Sequence, residues 1–326
     1  MENKAILSIC IPTYNRADYL KQCLDNIVCQ FGDEKVKNSV EVVISDDTSK
    51  DNTAELVKKY QARFENIKYF RNEKNLGMTE NIVNSVIKST GKYCWSIGDD
   101  DLVQNGSLKF LVDFLSKNNL CLLSVNFHPF VDIKKSLEEV KNIDNKSISY
   151  FNSPENFYRK GCLQGILGIF IFDRNSYLET DRTNYEEFWS YYEIILRMLH
   201  SSKLKYAYLS YPVIFVGQDY RWNKNGGALF CTIHAKRVFE KLRKFGYEKN
   251  FIDQEVAGFS KSLPRALLGA KSYDLKCSFE NLKLIYQELR GYPFHFFVAL
   301  IIFLVPNPVI KGLKSLKNKL NDNKRK

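Results

Sequence analysis

Four short apolar runs, Ala5 to Ile11, Val40 to Ile44, Ile67 to Phe70 and Lys92 to Ile97, punctuate the first hundred residues. Runs of this length with no polar alternation read as strands covered on both faces. Between them, apolar residues recur at spacings of three and four: Leu20, Leu24, Ile27, Val28 and Phe31, then Leu56, Val57, Tyr60 and Phe64, then Ile82, Val83, Val86 and Ile87. Each set makes one apolar face of a helix. Asn15 with Asp18 stands where the first helix needs a cap, and Asp51 or Asn52 where the second does. Strands alternating with helices leave little choice of architecture, because successive right-handed crossovers build a parallel sheet with helices on both faces. The expected fold class is therefore α/β, a mostly parallel central sheet flanked by helices.

In such a sheet a ligand sits beyond the carboxyl ends of the strands. Three polar clusters fall there: Thr13-Tyr14-Asn15-Arg16, Asp46-Asp47, and Asp99-Asp100-Asp101 after Gly98. Any one of them is compatible with an ordinary turn, but together at one edge they read as a binding crevice. Adjacent carboxylates raise one another's pKa unless solvent or a shared cation offsets the repulsion, so the aspartate triplet suits a divalent metal. Mn2+ and Mg2+ prefer oxygen ligands, and Mg2+ is usually held by one or two carboxylates with phosphates and waters completing the shell. Asp99 and Asp101 are the candidate ligands. Neither a Walker-type phosphate loop nor a G-x-G-x-x-G turn follows the first strand, so a bound diphosphate would depend on that cation.

The segments Ser8-Ile9-Cys10-Ile11-Pro12-Thr13-Tyr14-Asn15-Arg16, Val43-Ile44-Ser45-Asp46-Asp47-Thr48-Ser49-Lys50-Asp51-Asn52-Thr53, Asn75-Leu76-Gly77 and Gly98-Asp99-Asp100-Asp101 follow one another in order. They resemble the successive motifs of the family 2 glycosyltransferases, which have a nucleotide-diphospho-sugar-binding α/β fold of the GT-A type. The resemblance runs over residues 5–115, with one departure: Thr48 stands where the family usually has Gly. By that resemblance Pro12, Thr13 and Tyr14 line the nucleotide base, and Asp46 and Asp47 hold base and ribose. Asn15, Asn75 and Gly77 belong to the same nucleotide-sugar site, and Asp99, Asp100 and Asp101 hold metal and diphosphate. The implied activity is metal-dependent transfer of a sugar from a nucleotide-diphospho-sugar to a hydroxyl of a glycan or lipid-linked acceptor. Inversion of configuration is expected, in synthesis of a bacterial surface polysaccharide such as lipopolysaccharide, O-antigen or capsule.

Residues 1–217 are expected to form this transferase domain, with a nucleotide-binding half over 1–101 and an acceptor half over 102–217. The second half offers a helix carrying Leu108, Leu111, Val112 and Leu115, a strand from Leu120 to Phe127, and a polar stretch over 131–160 that reads as a mobile insertion near the acceptor. Gly165 and Gly168, in a strand-like run ending at Phe172, mark either a close approach of ligand or a bulge. An inverting transferase needs a base for the acceptor hydroxyl. In the resembled family an Asp supplies it shortly before a Leu-Arg segment. Counting back from Arg197 lands on Tyr191, which cannot serve. Glu186, Glu187 and Glu193 are the carboxylates nearby, and each could equally be a solvated helix position. Glu187, beside Trp189, is the first candidate base and Glu193 the second. Lys205 to Leu209 and Val213 to Val216 read as two strands. The loop after them carries Arg221, suited to a diphosphate, and Trp222, suited to a sugar face, although a plain loop reads the same way.

Residues 218–326 form a helical extension, with periodic segments over 228–245, 251–270 and 278–290. Phe294 to Val305 is almost wholly apolar but shorter than the roughly twenty residues a bilayer-crossing helix needs. From Lys311 to Lys326 seven basic residues stand against Asp322, a net of +6 out of +11 for the whole chain. An apolar segment beside a cationic tail reads as an anchor lying on an anionic membrane surface; the alternative is a buried final helix with a solvated tail. No basic and aromatic residues interleave along a face, which argues against a nucleic-acid partner. The eight Cys are scattered without a Cys-x-x-Cys pair and no signal-peptide pattern opens the chain. The expected location is cytoplasmic, peripheral on the inner face of the membrane. Two other functions fit the fold class, a sugar nucleotidyltransferase and a non-catalytic polysaccharide- or membrane-associated scaffold. The first would need a basic Gly-rich loop after the opening strand, and the second need show no metal-dependent nucleotide binding.

Overall fold

Strand β1 (Leu7–Thr13) lies inside a nine-stranded sheet in the computed structural model, which describes residues 5–130, 147–217 and 226–323. Leu7, Ile9, Cys10 and Ile11 are fully buried, each of the larger side chains contributing about 2 kcal/mol on removal from water. β2 (Val40–Asp46) and β4 (Tyr93–Ser96) flank β1 and run parallel to it, and β3 (Ile67–Arg71) extends the parallel set beyond β2. The other strands are β5 (Leu102–Val103), β6 (Leu120–Phe130), β7 (Ile148–Phe151), β8 (Phe170–Asp173) and β9 (Lys205–Gly217). Their order is β3-β2-β1-β4-β8-β6-β9-β5, with β7 also paired to β9.

The parallel arrangement expected from the sequence is present in the first four strands, and the second half is mixed. β8 is antiparallel to both β4 and β6, and β5 and β7 are antiparallel to β9. The two short strands expected over 205–216 are one long strand. Its register against β6 slips between Val125 and Asn126, where the partner jumps from Leu209 to Pro212; a proline cannot donate to the ladder, and a bulge absorbs the mismatch.

Helices α1 (Ala17–Val28), α2 (Glu34–Ser39), α3 (Thr53–Gln61), α4 (Met78–Ile87) and α5 (Ser107–Lys117) accompany the first strands. α6 (Pro154–Arg159), α7 (Arg174–Glu179) and α8 (Ser190–Ser201) accompany the later ones. α1 buries Leu20, Leu24 and Ile27 of the predicted stripe and Cys23 beside them; it ends at Val28, which is half-buried, and Phe31 is buried in the turn that follows. Its cap differs from expectation. Arg16 occupies the N-cap position, and the Ala17 amide is taken at 3.0 Å by Asp51, reaching over from the loop before α3. The same carboxylate receives the Thr53 amide at 3.2 Å, so one side chain fixes the starts of two helices. The insertion expected over 131–160 is ordered at its end, where β7 joins β9 and Ser153 caps α6; residues 131–146 lie outside the described residues.

At the amino ends of the strands, Glu41 on β2 ties four elements. Its buried carboxylate meets Ser8 of β1, Lys68 of β3, and Thr90 and Gly91 ahead of β4. That clamp holds the parallel strands in step and leaves their carboxyl ends free for other work.

The protein divides into two compact units, Met1–Gln218 and Asp219–Lys326. The second is helical, with α9 (Gly227–Leu242), α10 (Lys249–Lys271), α11 (Phe279–Leu289), α12 (Pro293–Leu304) and α13 (Asn307–Asn323). Leu229, Ile233, Leu263, Leu267, Leu289 and Phe303 are part of its core. Two buried lysines are partnered there: Lys271 donates to the Phe303 carbonyl at 2.7 Å, and Lys236 pairs with Glu288 at 2.8 Å. Among the described residues no single helix is long and apolar enough to cross a membrane.

Candidate active site

The chain leaves β1, builds outward through β2 and β3, and returns through α4 to place β4 on the other side of β1. Where strand order reverses, the connections diverge and a crevice opens beyond the carboxyl ends. Across the three strands on one side of this point, Thr13, Asp46 and Arg71 stand in register. On the other side β4 delivers Gly98 and the three aspartates.

Thr13 Oγ1 donates to Asp99 Oδ2 at 2.8 Å, joining the ends of β1 and β4. Arg16 reaches both neighbouring acids, with Nε 3.2 Å from Asp99 Oδ1 and an outer nitrogen 2.7 Å from Asp100 Oδ2. Asp101 is bound differently. Its two oxygens accept the Gly98 amide at 2.7 Å and the Gly217 amide at 3.1 Å, which ties the turn after β4 to the end of β9. Glycine is required around this cluster for space. A Cβ at Gly98 would lie 2.8 Å from Asp100 Oδ1, one at Gly168 3.0 Å from Asp101 Oδ2, and one at Gly217 3.0 Å from the Asp100 carbonyl oxygen. Gly168 thus clears the acid cluster, and its carbonyl receives the buried Trp95 indole at 2.6 Å. Gly165 has another reason: a Cβ there would collide with the Trp189 ring.

Burial pushes the Asp99 carboxyl up to about 6, the charge of Asp100 adding to it while Arg16 and Thr13 pull the other way. Asp101 is raised well above the ordinary carboxylate range, first by burial and then by the charge of Asp100. Raised values mean that the charged form is held at a cost in this cluster, and a hard divalent cation beside it would favour that form. Among the described residues no three Asp, Glu, His or Cys groups are set to ligate one ion.

The second acidic pair is consumed in shaping the loop that faces the crevice. Asp46 is fully buried and accepts the Ser49 amide at 2.8 Å and the Tyr69 hydroxyl, with an Arg71 nitrogen at 3.6 Å. Asp47 accepts the Leu76 amide at 2.7 Å, the Gly77 amide at 2.9 Å and the Asn72 side chain at 2.9 Å. It is the pin of the Asn75-Leu76-Gly77 turn, whose Asn75 also donates to the Asp47 carbonyl at 3.3 Å. Asn72, Asn81 and Asn84 are linked side chain to side chain behind it, and Asn81 donates to the Ser45 carbonyl at 3.0 Å. Pro12 is half-buried and Tyr14 is exposed; Asn15, at φ 53°, accepts the Lys50 amide at 2.6 Å. Of the residues singled out in the sequence, Thr13, Asp46, Asp47, Asn75, Gly77 and Asp99 to Asp101 are thus joined along the edge of one sheet.

The base candidates fare differently. Glu193 is fully buried and bonded to Arg197, and its other oxygen accepts the Glu186 amide at 2.7 Å. Arg197 in turn donates to the carbonyls of Asp181, Thr183 and Asn184. This is a structural pair that folds the 181–186 loop onto α8, and it leaves Glu193 no freedom to take a proton from an acceptor. Glu187 opens a short turn, Glu187–Trp189, ahead of α8; its side chain lies outside the described residues, as do Arg221 and Trp222. The backbone around it is anchored to the start of α4, because Tyr185 bonds Glu80 and Thr79 Oγ1 lies 2.8 Å from Ser190 Oγ. That places the turn next to the Gly77 loop. Sequence reasoning put Arg16 in the polar cluster but gave it no role; its position directly after β1, the strand beside β4, was the available signal.

Residues 8–179 match the model for glycosyl transferase family 2. The chain belongs to that family. Among curated relatives, abequosyltransferase RfbV of Salmonella typhimurium is 28% identical over 75% of this chain and 76% of its own length. A Campylobacter jejuni GalNAc(5)-diNAcBac-PP-undecaprenol beta-1,3-glucosyltransferase is 24% identical over 95% of this chain and 97% of its own. Among solved structures, Staphylococcus aureus TarS in complex with UDP-GlcNAc aligns with a TM-score of 0.58 at 14% identity, covering 95% of this chain and 91% of that one. A mannosyltransferase from Pyrobaculum calidifontis in complex with GDP-Man and Mn2+ aligns at 0.55 and 16% identity, covering 97% and 88%. These structures share its fold. The activity is glycosyl transfer, and the nucleotidyltransferase and scaffold readings fall away. Family membership also gives the Thr48 departure its physical meaning: Thr48 sits at φ 63°, in the left-handed region that glycine adopts without strain.

Proposed function

We propose that this family 2 glycosyltransferase moves a sugar from a nucleotide-diphospho-sugar to a hydroxyl of a glycan or lipid-linked acceptor in bacterial surface polysaccharide synthesis. The observation that carries the reading is the joining of Thr13, Arg16, Asp46, Asp47 and Asp99 to Asp101 along one sheet edge at the reversal of strand order. The surface-polysaccharide setting rests on the relatives, whose names specify abequosyl transfer and an undecaprenol-linked acceptor.

In this reading the nucleoside lies against Pro12, Thr13, Tyr14 and Asn15, with Asp46, Asp47, Asn75 and Gly77 shaping the floor of its site. Asp99 and Asp101 are the residues that would hold Mn2+ or Mg2+, their oxygens keeping lone pairs beyond the hydrogen bonds they already accept. The cation, when bound, offsets the charge that grows on the departing diphosphate. Arg16 pairs with Asp99 and with Asp100, beside the proposed cation site. Glu187, on the turn anchored beside Gly77, is the base that takes the acceptor proton, and attack from the face opposite the diphosphate inverts the anomeric centre. The acceptor reaches the enzyme at an anionic membrane surface on the cytoplasmic side.

Screening a panel of nucleotide-sugars for metal-dependent hydrolysis identifies the donor. With it, Asp101→Ala is expected to abolish metal-dependent transfer, and Glu187→Gln to lower kcat by about 100-fold or more with little change in donor affinity. Full transfer by Asp101→Ala in the presence of a chelator would overturn the metal assignment.

A further inference from the structure

The second unit presents two apolar rows that none of its described residues covers. On α12, Phe294, Phe297, Ile301 and Leu304 follow one another at spacings of three, four and three, the period of a single helix face. Phe294 and Leu304 are each 71% exposed. The opposite side of the same helix is accounted for, since Ala299 and Phe303 are buried in the core of the unit. On α13, Val309, Leu313 and Leu316 repeat the pattern at spacings of four and three, Leu313 being 60% exposed, while Ile310 is buried. The two helices meet at Pro306 with a bend of 99°. That bend and their shortness suit helices lying along an interface rather than a helix passing through a bilayer.

The stretch that carries the second row is rich in basic residues. Lys311 pairs with Asp274 at 2.7 Å, and Lys314 lies over the Tyr273 ring at 4.6 Å, both on the flank of α13 away from the apolar row. The sequence adds Lys317 and Lys319 further along. Past the single acid at Asp322, the sequence continues with Lys324-Arg325-Lys326. An aqueous protein partner would cover an apolar face without needing this flanking charge. A surface that is apolar beneath and negative at its boundary needs both.

We propose that the exposed faces of α12 and α13 dock this protein on an anionic lipid bilayer, with Phe294, Phe297, Ile301, Leu304, Leu313 and Leu316 entering the acyl boundary and the net positive charge of the Lys311–Lys326 sequence supplying the attraction to anionic headgroups. The proposal rests on the functional reading above only in that the surface it docks on would carry the acceptor. It specifies which side chains make the attachment.

The test is flotation of the purified full chain with vesicles of phosphatidylcholine alone and of phosphatidylcholine with phosphatidylglycerol. Binding is expected on the anionic vesicles, weakening as salt rises. The triple variant Phe297→Ser, Leu304→Ser, Leu313→Ser is expected to lose at least about ten-fold in partition to those vesicles. Its exposed positions leave the core intact, which an unchanged unfolding midpoint checks. Metal-dependent hydrolysis of the donor in solution should stay at the level of the unaltered chain, so a failure of docking and a failure of the transferase reading are separate results. The proposal is overturned if the unaltered chain does not float with anionic vesicles, if the triple variant floats equally well, or if sedimentation shows a dimer that the variant converts to monomer.

Discussion

Replacing Asp47 by Asn keeps the shape of the side chain and removes one acceptor oxygen and the charge. The carboxylate accepts three hydrogen bonds in a buried position, two from the backbone of the Asn75-Leu76-Gly77 turn and one from Asn72. In the best orientation of the new amide, its oxygen serves Leu76 and Asn72 and its NH2 faces the Gly77 N–H. Two donors then oppose each other and the Gly77 amide loses its partner. A hydrogen bond to a charged group is worth roughly 1.5–3 kcal/mol, and the two that survive become ordinary neutral bonds, so the loss is about 3 kcal/mol. That is about a 150-fold shift in the folding equilibrium. Because the loss is confined to one turn, the Asn75–Gly77 segment should give way first and carry the donor site with it. Urea denaturation followed by circular dichroism reads the stability change, with the slope expected to be unaltered. Calorimetric titration of UDP and of GDP with Mn2+ reads the site, with at least about ten-fold weaker binding expected of whichever nucleotide the unaltered chain binds. A stability change under about 0.5 kcal/mol together with unaltered nucleotide affinity would refute the assignment of Asp47 as the pin of that turn.

Glu193→Gln is expected to cost about 3 kcal/mol of stability by leaving the buried Arg197 charge without its carboxylate, whereas a catalytic Glu193 would lose turnover with stability intact; a thermal melt beside a transfer assay separates the two. Thr48→Gly relieves a left-handed backbone at φ 63° and is expected to stabilise by about 0.5 kcal/mol after the greater chain entropy of glycine is counted, read as a small rise in Tm. Glu41 gives a pH prediction: burial alone would raise its pKa, but hydrogen bonds from Lys68, Ser8 and Thr90 outweigh burial and hold it below the ordinary value of 4.5. A depressed carboxyl contributes stability that is fully present above 4.5 and is lost as pH falls through its folded value, so Glu41→Gln should flatten the acid limb of the stability profile measured from about pH 3 to 6.

The first four strands were legible because burial on both faces makes a parallel strand a continuous apolar run, and because the helices between them carry clean stripes such as Leu20, Leu24 and Ile27. What escaped was set by pairing at a distance. β5 has only two residues and exists because Leu102 and Val103 meet Phe215 and Ile214. β7 has four residues, none of them buried, and its place is decided by β9. The long β9 looked like two strands because the Ser210 to Pro212 bulge interrupts its pattern without ending it.

In the site, legibility followed the same division. Residue types that are costly to bury, such as the aspartates of 46–47 and 99–101, announce themselves in any sequence, since burying a carboxylate demands partners. Which partners they find is a tertiary matter. Asp47 binds backbone amides 29 and 30 residues away, Asp101 an amide 116 residues away, and Arg16 lies between two acids more than 80 residues on. The same logic explains why Glu193 misleads. From the sequence it is one more acid at the start of an amphipathic helix, and only the fold reveals that Arg197 and the Glu186 amide have claimed both its oxygens. A fully buried carboxylate ion-paired with a fixed arginine is a poor proton acceptor for a substrate, however well its position along the chain suits the role.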